Sequence, residues 1–328
     1  HDEPAVDYAR LTPDVLLDAV EACGYRTDGR LLALNSYENR VYQVGLEDAT
    51  PLIAKFYRPG RWSNEAILEE HAFAGELAAQ EIPVVAPLVI NGTTLHAAHG
   101  YRYALYPRQG GHWPELNSRE EREWMGRFIG RMHAVGATRP FRHRPTVDID
   151  SFGRQASHYL LEQGFIPPHI EQAYETLVSD LLDRITGIFA RAGDVTRIRL
   201  HGDCHPGNIL WTDDGPHFVD LDDCRTGPPV QDLWMLLSGE RHDMQPQLTD
   251  ILDGYLLFHE FDPRELQLIE PLRTLRMIHY AAWLARRWED PAFPAAFPWF
   301  NTDRYWEEQI LALREQAARL DEPPLVAG

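Results

Sequence analysis

The segment Asp14 to Cys23, DVLLDAVEAC, carries apolar residues at helical spacing, with Thr12 placed to cap it and Gly24 to stop it. Three short runs rich in apolar and aromatic residues follow: LLALNS, RVYQVGL and PLIAKFY. Turn-type residues separate them, so the pattern predicts three antiparallel strands, the first two joined by a polar turn around Tyr37 to Asn39. Ser63 to Gln80 then returns to helical spacing, with an apolar stripe of Ile67, Leu68, Phe73 and Leu77. PVVAPLVI and YRYALYP read as two further strands, and QGGH at 109–112 as a hinge. After that the pattern turns helical, in EREWMGRFIGRMHAVG and across 152–164, 168–191, 245–259 and 264–287. One short β stretch, from IRLHGD to HFVDLDD, interrupts it. The expected fold is α+β and bilobal: a β-rich lobe with one helix over 1–106, with the boundary near Tyr106, and a mostly helical lobe carrying a small β insert over 107–328.

Composition narrows the function. The 328 residues are 44% hydrophobic and 25% charged, ordinary for a globular chain. With 31 basic and 50 acidic residues the net charge is −19, which argues against a general nucleic-acid binder. Three cysteines, Cys23, Cys204 and Cys224, fit a reducing compartment better than a disulfide framework. No apolar run is long enough to span a membrane, and the opening HDEPAVDYARL has no apolar h-region. The expectation is a cytoplasmic monomer.

The chemistry concentrates in LHGDCHPGNILW, residues 200–211. If 201–205 were a strand, His201, Asp203 and His205 would share a face, which suits a zinc hydrolase. The spacing of Asp203 and Asn208 instead matches the kinase pattern H-x-D-x-x-x-x-N, and a polar turn with capping side chains remains the plain alternative. Downstream, HFVDLDDC places Asp220, Asp222 and Asp223 at the end of a β run. A hairpin through the turn TDDGP would bring Asn208 beside Asp220, an oxygen pair suited to Mg²⁺, with Asp222 and Asp223 as alternates. Lys55 sits inside an apolar strand and needs an anion: a phosphate, with Glu70 preferred over Glu69 and Glu65 to steady it, unless it snorkels to solvent. In the turn LNSYENRVY, Ser36 is placed to meet phosphates, although no glycine is present. Cys204 and Cys224 flank these carboxylates and read as inert packing residues rather than redox sensors. Asp232, in QDLWMLL, reads as an anchor beside the loop, and His201 as its prop.

HGDCHPGNILW together with FVDLDD resembles the aminoglycoside phosphotransferase and choline-kinase superfamily. LNSYENRVYQ, KFYRPGRW, GPPVQDLWMLL, IEPLR and RRWEDPAFP are closer still to the stress response kinase A family of bacterial serine/threonine protein kinases. The absence of D-F-G, of A-P-E and of an Arg before Asp203 sets the chain apart from ordinary protein kinases. The resemblance implies ATP- and Mg²⁺-dependent phosphorylation of protein Ser or Thr, autophosphorylation and a role in stress response. It implies Asp203 as catalytic base, Asp220 as an active-site residue, and Asn208 and Asp220 as Mg²⁺ ligands. Ser36, Lys55 and Glu70 would hold ATP. A small-molecule phosphotransferase and a nucleotide-binding pseudokinase are the alternatives. The acidic cluster and overall charge would favour a cationic acceptor.

Overall fold

A computed structural model of the chain describes residues 5–328; the first four residues of the opening stretch lie outside it. In chain order the elements are α1 (Pro13–Ala22), β1 (Thr27–Ala33), β2 (Arg40–Leu46), β3 (Ala49–Phe56), α2 (Asn64–Ala79), β4 (His96–Ala98) and β5 (Tyr101–Pro107). There follow α3 (Arg119–Gly136), α4 (Ala156–Glu162), α5 (Glu171–Ala192), β6 (Ile198–Leu200), β7 (Ile209–Thr212), β8 (Gly215–Phe218) and β9 (Arg225–Gly227). Last come α6 (Gln231–Trp234), α7 (Arg241–Tyr255), α8 (Ile269–Arg286), α9 (Ala292–Ala296) and α10 (Asp303–Arg319). Thr12 and Ser63 cap α1 and α2 through their side-chain oxygens, and Gly24 follows α1 at φ 95°.

The chain forms two compact units. Among the described residues the first comprises 5–115, 141–144 and 206–224. Its centre is one antiparallel sheet ordered β1-β2-β3-β5-β4. Val44, Leu46, Leu52, Ala54, Phe56, Tyr103 and Leu105 form its core with Leu16, Ala19 and Val20 of α1. PVVAPLVI is not a strand of this sheet. Pro83 and Pro87 lack the N–H groups that a ladder needs, and His96–Ala98 takes the place beside β5. The segment is extended all the same. Phe218 N–H donates to Pro83 O at 2.9 Å, and Val85 N–H donates to Phe218 O at 3.1 Å, which ties the β7–β8 hairpin into this unit. Gly111 serves close approach: His112 and Trp211 exchange both backbone hydrogen bonds, and a Cβ on Gly111 would sit 2.9 Å from Trp211 O.

The second unit comprises 116–140, 145–205 and 225–328. Among its helices, α3 and α7 cross with backbones almost touching. A Cβ on Gly126 would collide with Ile251 O, and one on Gly254 with Glu123 O. The expected helices are present, although 152–164 opens with a π turn over Asp150–Gln155, and 264–287 opens with a 3₁₀ turn over Pro263–Leu268. α10 has no counterpart in the elements expected from the sequence.

Candidate active site

In the first unit Lys55 lies on β3, paired with Val41 and Ala104 in the sheet, its side chain only 10% exposed. Its Nζ is 3.7 Å from Asp220 Oδ1. Burial works against the ammonium. Tyr106, Asp220, Glu70 and Asp222 around it nonetheless hold its pKa well above the ordinary lysine value.

The three carboxylates of α2 have separate duties. Glu65 is exposed in the first turn. Glu69 accepts three backbone N–H bonds, from Arg142, His143 and Arg144, at 2.6–3.0 Å. Glu70 is buried, accepts from Tyr57 Oη at 3.1 Å, and faces Lys55 without reaching ion-pair distance. Its Oε1 makes no hydrogen bond. Lys55, Glu70, His71, Tyr106, Val219 and Leu221 line a small cavity beside it.

Burial, and then the charge of Asp222, push the Glu70 carboxyl up to about 7, against the opposing pull of Lys55 and Arg144. A carboxyl in the unfolded chain titrates near 4.5. Between the two values the folded chain keeps a proton that the unfolded chain has lost, so stability falls as pH rises through that window. Glu70→Gln removes the effect. Its stability relative to wild type should rise between pH 5 and pH 8 by about 2–3 kcal/mol, read by denaturant melts of the ligand-free protein. A difference that stays flat with pH refutes the assignment.

The β7–β8 hairpin pairs Ile209 with Phe218, and one step further Val219 N–H donates to Asn208 O at 3.3 Å. Asn208 and Asp220 therefore stand at its open end. Asp220 is about half exposed, and its Oδ1 accepts the Asp222 N–H at 2.9 Å. Asp222 is buried, with Oδ1 unbonded, and its pKa is raised by burial and by the neighbouring Asp220 and Asp223. Arg144 donates to the carbonyls of Asp222 and Cys224 and to Ala66 O in α2.

Ser36 lies half-buried in the β1–β2 turn. That turn has no glycine; an arginine shapes it. Arg58 Nη2 donates to Tyr37 O, its Nε to Glu38 O, and its backbone N–H to Asn39 Oδ1, at 2.9–3.1 Å. Arg61 pairs with Glu38 at 3.3 Å and with Asp223 at 3.8 Å, and it stacks on Trp62 at 3.9 Å.

In the second unit β6 ends at Leu200, so His201, Asp203 and His205 do not alternate along a strand. The loop that carries them is fixed by its backbone. Asp232 accepts from His201 N–H and Gly202 N–H, each at 2.9 Å, and Gln231 Nε2 donates to Gly202 O at 3.0 Å. Gly202 adopts φ 92°, which favours glycine. Asp232 is itself held by His133 Nε2 at 2.8 Å, and His133 by Tyr255 Oη at 2.6 Å. Although buried, Asp232 keeps a lowered pKa through His133, His201 and the Gly202 N–H.

At Asp203 both oxygens are engaged. Arg276 Nη2 lies 3.2 Å from Oδ1, and His205 Nε2 lies 3.2 Å from Oδ2. The Asp203 N–H donates to His201 Nδ1 at 3.3 Å, so that imidazole props the loop. Burial opposes ionisation of Asp203, yet the His205 hydrogen bond and the Arg276 charge hold its pKa well below the carboxylate range. Cys204 and Cys224 are fully buried, and burial raises the Cys204 thiol well above its usual value, which disfavours the thiolate. Among the described residues no three His, Cys, Asp or Glu side chains are arranged to hold a metal ion. His133, Arg144, Gln231 and Arg276 are the residues that sequence reasoning missed; each reaches its partner from a distant part of the chain.

The chain belongs to the phosphotransferase enzyme family, which it matches over residues 30–269. It is 46% identical over 321 residues to Stress response kinase A of Escherichia coli K12, covering 98% of this chain and 97% of that one. The same identity and coverage relate it to a Salmonella typhimurium LT2 relative named Serine/threonine protein kinase RdoA. The fold is that of the amicoumacin kinase hAmiN, with TM-score 0.71, 17% identity, and 92% and 94% of the two chains covered. The protein is thus a phosphotransferase of kinase-like fold. Among the described residues no helix is long and apolar enough to cross a membrane.

Proposed function

We propose that the protein is an ATP- and Mg²⁺-dependent serine/threonine protein kinase that phosphorylates itself and acts in a stress response. The observation that carries this is Asp203, an ionised carboxylate held by two cationic or N–H-bearing side chains in a family whose reaction is phosphoryl transfer. A carboxylate this acidic is a weak base towards a resting hydroxyl. In phosphoryl transfer the hydroxyl proton is surrendered late, so an anion that orients it is sufficient. The acceptor oxygen bonds to the γ-phosphorus, the bond from phosphorus to the β–γ bridging oxygen breaks, and the proton passes to Asp203 and on to water. Support for a protein acceptor comes from the name of the Salmonella relative.

Lys55 and Ser36 would hold the nucleotide, with Glu70, which lines the same small cavity as Lys55, steadying it. Asn208 and Asp220 would hold Mg²⁺. An all-oxygen pair at an open hairpin end, one carboxylate half exposed, fits that ion. When bound, Mg²⁺ neutralises phosphate charge. Residues 1–106 would handle the nucleotide and 107–328 the acceptor. A cytoplasmic monomer is consistent with three free cysteines among the described residues and with bacterial relatives.

The expected result with labelled ATP and Mg²⁺ is label on the chain's own Ser/Thr and on an added protein. Label only on a small alcohol such as an aminoglycoside would move the reading to a small-molecule phosphotransferase. ATP bound without transfer would make the chain a pseudokinase.

A further inference from the structure

We propose that Arg276 selects the acceptor: one edge of its guanidinium holds Asp203, and the other reads an anionic group beside the acceptor hydroxyl. The inference rests on the phosphotransferase reading and adds a substrate class to it.

Arg276 projects from α8, 73 residues along the chain from Asp203. Its Nε and Nη2 point at Asp203 Oδ1, at 3.4 and 3.2 Å. Among the described residues the hydrogen bonds of Arg276 come from Nε and Nη2 and none from Nη1, and the side chain is about a third exposed. A cation beside the base, with one donor face unspent and open to water, is poised for a second anion. The same helix face continues outward as a ladder. The Arg276 guanidinium lies 5.8 Å from the Tyr280 ring, Tyr280 stacks on Trp283 at 5.7 Å, and Arg287 covers Trp283 at 5.0 Å. Those positions are four, seven and eleven residues on, one stripe that runs along α8 to its C-cap at Arg287. Aromatic backing limits where the guanidinium can swing.

The net charge of −19 would favour a cationic acceptor, but that field is screened beyond about 8–10 Å at ordinary salt. At contact range the acceptor meets Arg276. The acceptor class is a hydroxyl with a carboxylate or phosphate within one or two residues, as in an acidic Ser/Thr peptide.

The test is a set of peptides with one Ser flanked by Asp, Asn or Lys, offered to wild type, Arg276→Gln and Arg276→Lys, with autophosphorylation followed in parallel. Wild type should favour the Asp-flanked peptide over the Asn-flanked one at least tenfold in kcat/KM, mostly through KM. Arg276→Gln should erase that ratio, and Arg276→Lys should restore part of it. A purely structural role would lower all three rates together and leave the ratio intact. Equal rates, a preference for Lys, or a ratio that survives Arg276→Gln overturns the proposal. If neither peptides nor the chain itself take label, the protein-kinase reading has failed instead. The same comparison between an anionic and a cationic small alcohol then decides the role of Arg276.

Discussion

An Asp203→Asn variant is expected to lose phosphoryl transfer by about 10²–10⁴-fold while nucleotide affinity changes by less than about threefold. Asn preserves the volume and one acceptor oxygen, so the Asp232 and Gln231 bonds that hold the loop backbone remain. The charge that Arg276 and His205 converge on is lost, and so is the acceptor for the hydroxyl proton. Single-turnover rates and nucleotide titration separate the two effects. Transfer within tenfold of wild type would remove Asp203 from its assigned role. A matching loss of nucleotide affinity would point to a collapsed loop.

The second large effect concerns stability. Gly126→Ala or Gly254→Ala is expected to cost about 3 kcal/mol or more, because each methyl group meets a carbonyl oxygen of the facing helix and neither backbone can retreat. For a chain of 328 residues that corresponds to a fall in Tm of roughly 4–5 °C. Gly75→Ala is the control. It lies within α2 with nothing within 4 Å of its added Cβ, and it should gain about 0.5–1 kcal/mol from helix propensity. If all three variants melt alike, the α3–α7 crossing is looser than described. The crossing matters for chemistry because α3 carries His133, whose bond to Asp232 sets the loop backbone.

Local signals in the sequence carried much of this fold. Thr12 and Ser63 announce helix starts, and RVYQVGL and YRYALYP match β2 and β5 residue for residue. The hairpin that stands Asn208 and Asp220 at its open end was legible because the spacing between them encodes a turn and two short strands. PVVAPLVI misled because apolar content was weighed above its two prolines. What stayed hidden is long-range: Arg276 looks like one more charged residue on an amphipathic helix, and Gln231 like a turn residue. No periodicity encodes which carboxylate or carbonyl such a side chain will reach. Glu69 and Glu70 show the same limit at one-residue resolution. Adjacent on the helix, one serves the backbone of 142–144 and the other faces Lys55.

Arg58 has a consequence for how such a protein can change over evolutionary time. A nucleotide turn built on glycines stores its shape in its own residues, so each of them is constrained. Here the shape of Tyr37 to Asn39 is imposed from outside, by one guanidinium and one amide N–H on the far side of β3. The turn is freed to drift in composition, and with it the surface proposed to meet the nucleotide, while the constraint moves to Arg58, helped by Arg40 and Tyr8 on the Tyr37 and Glu38 carbonyls. The identity of the turn is written not in the turn but twenty residues later.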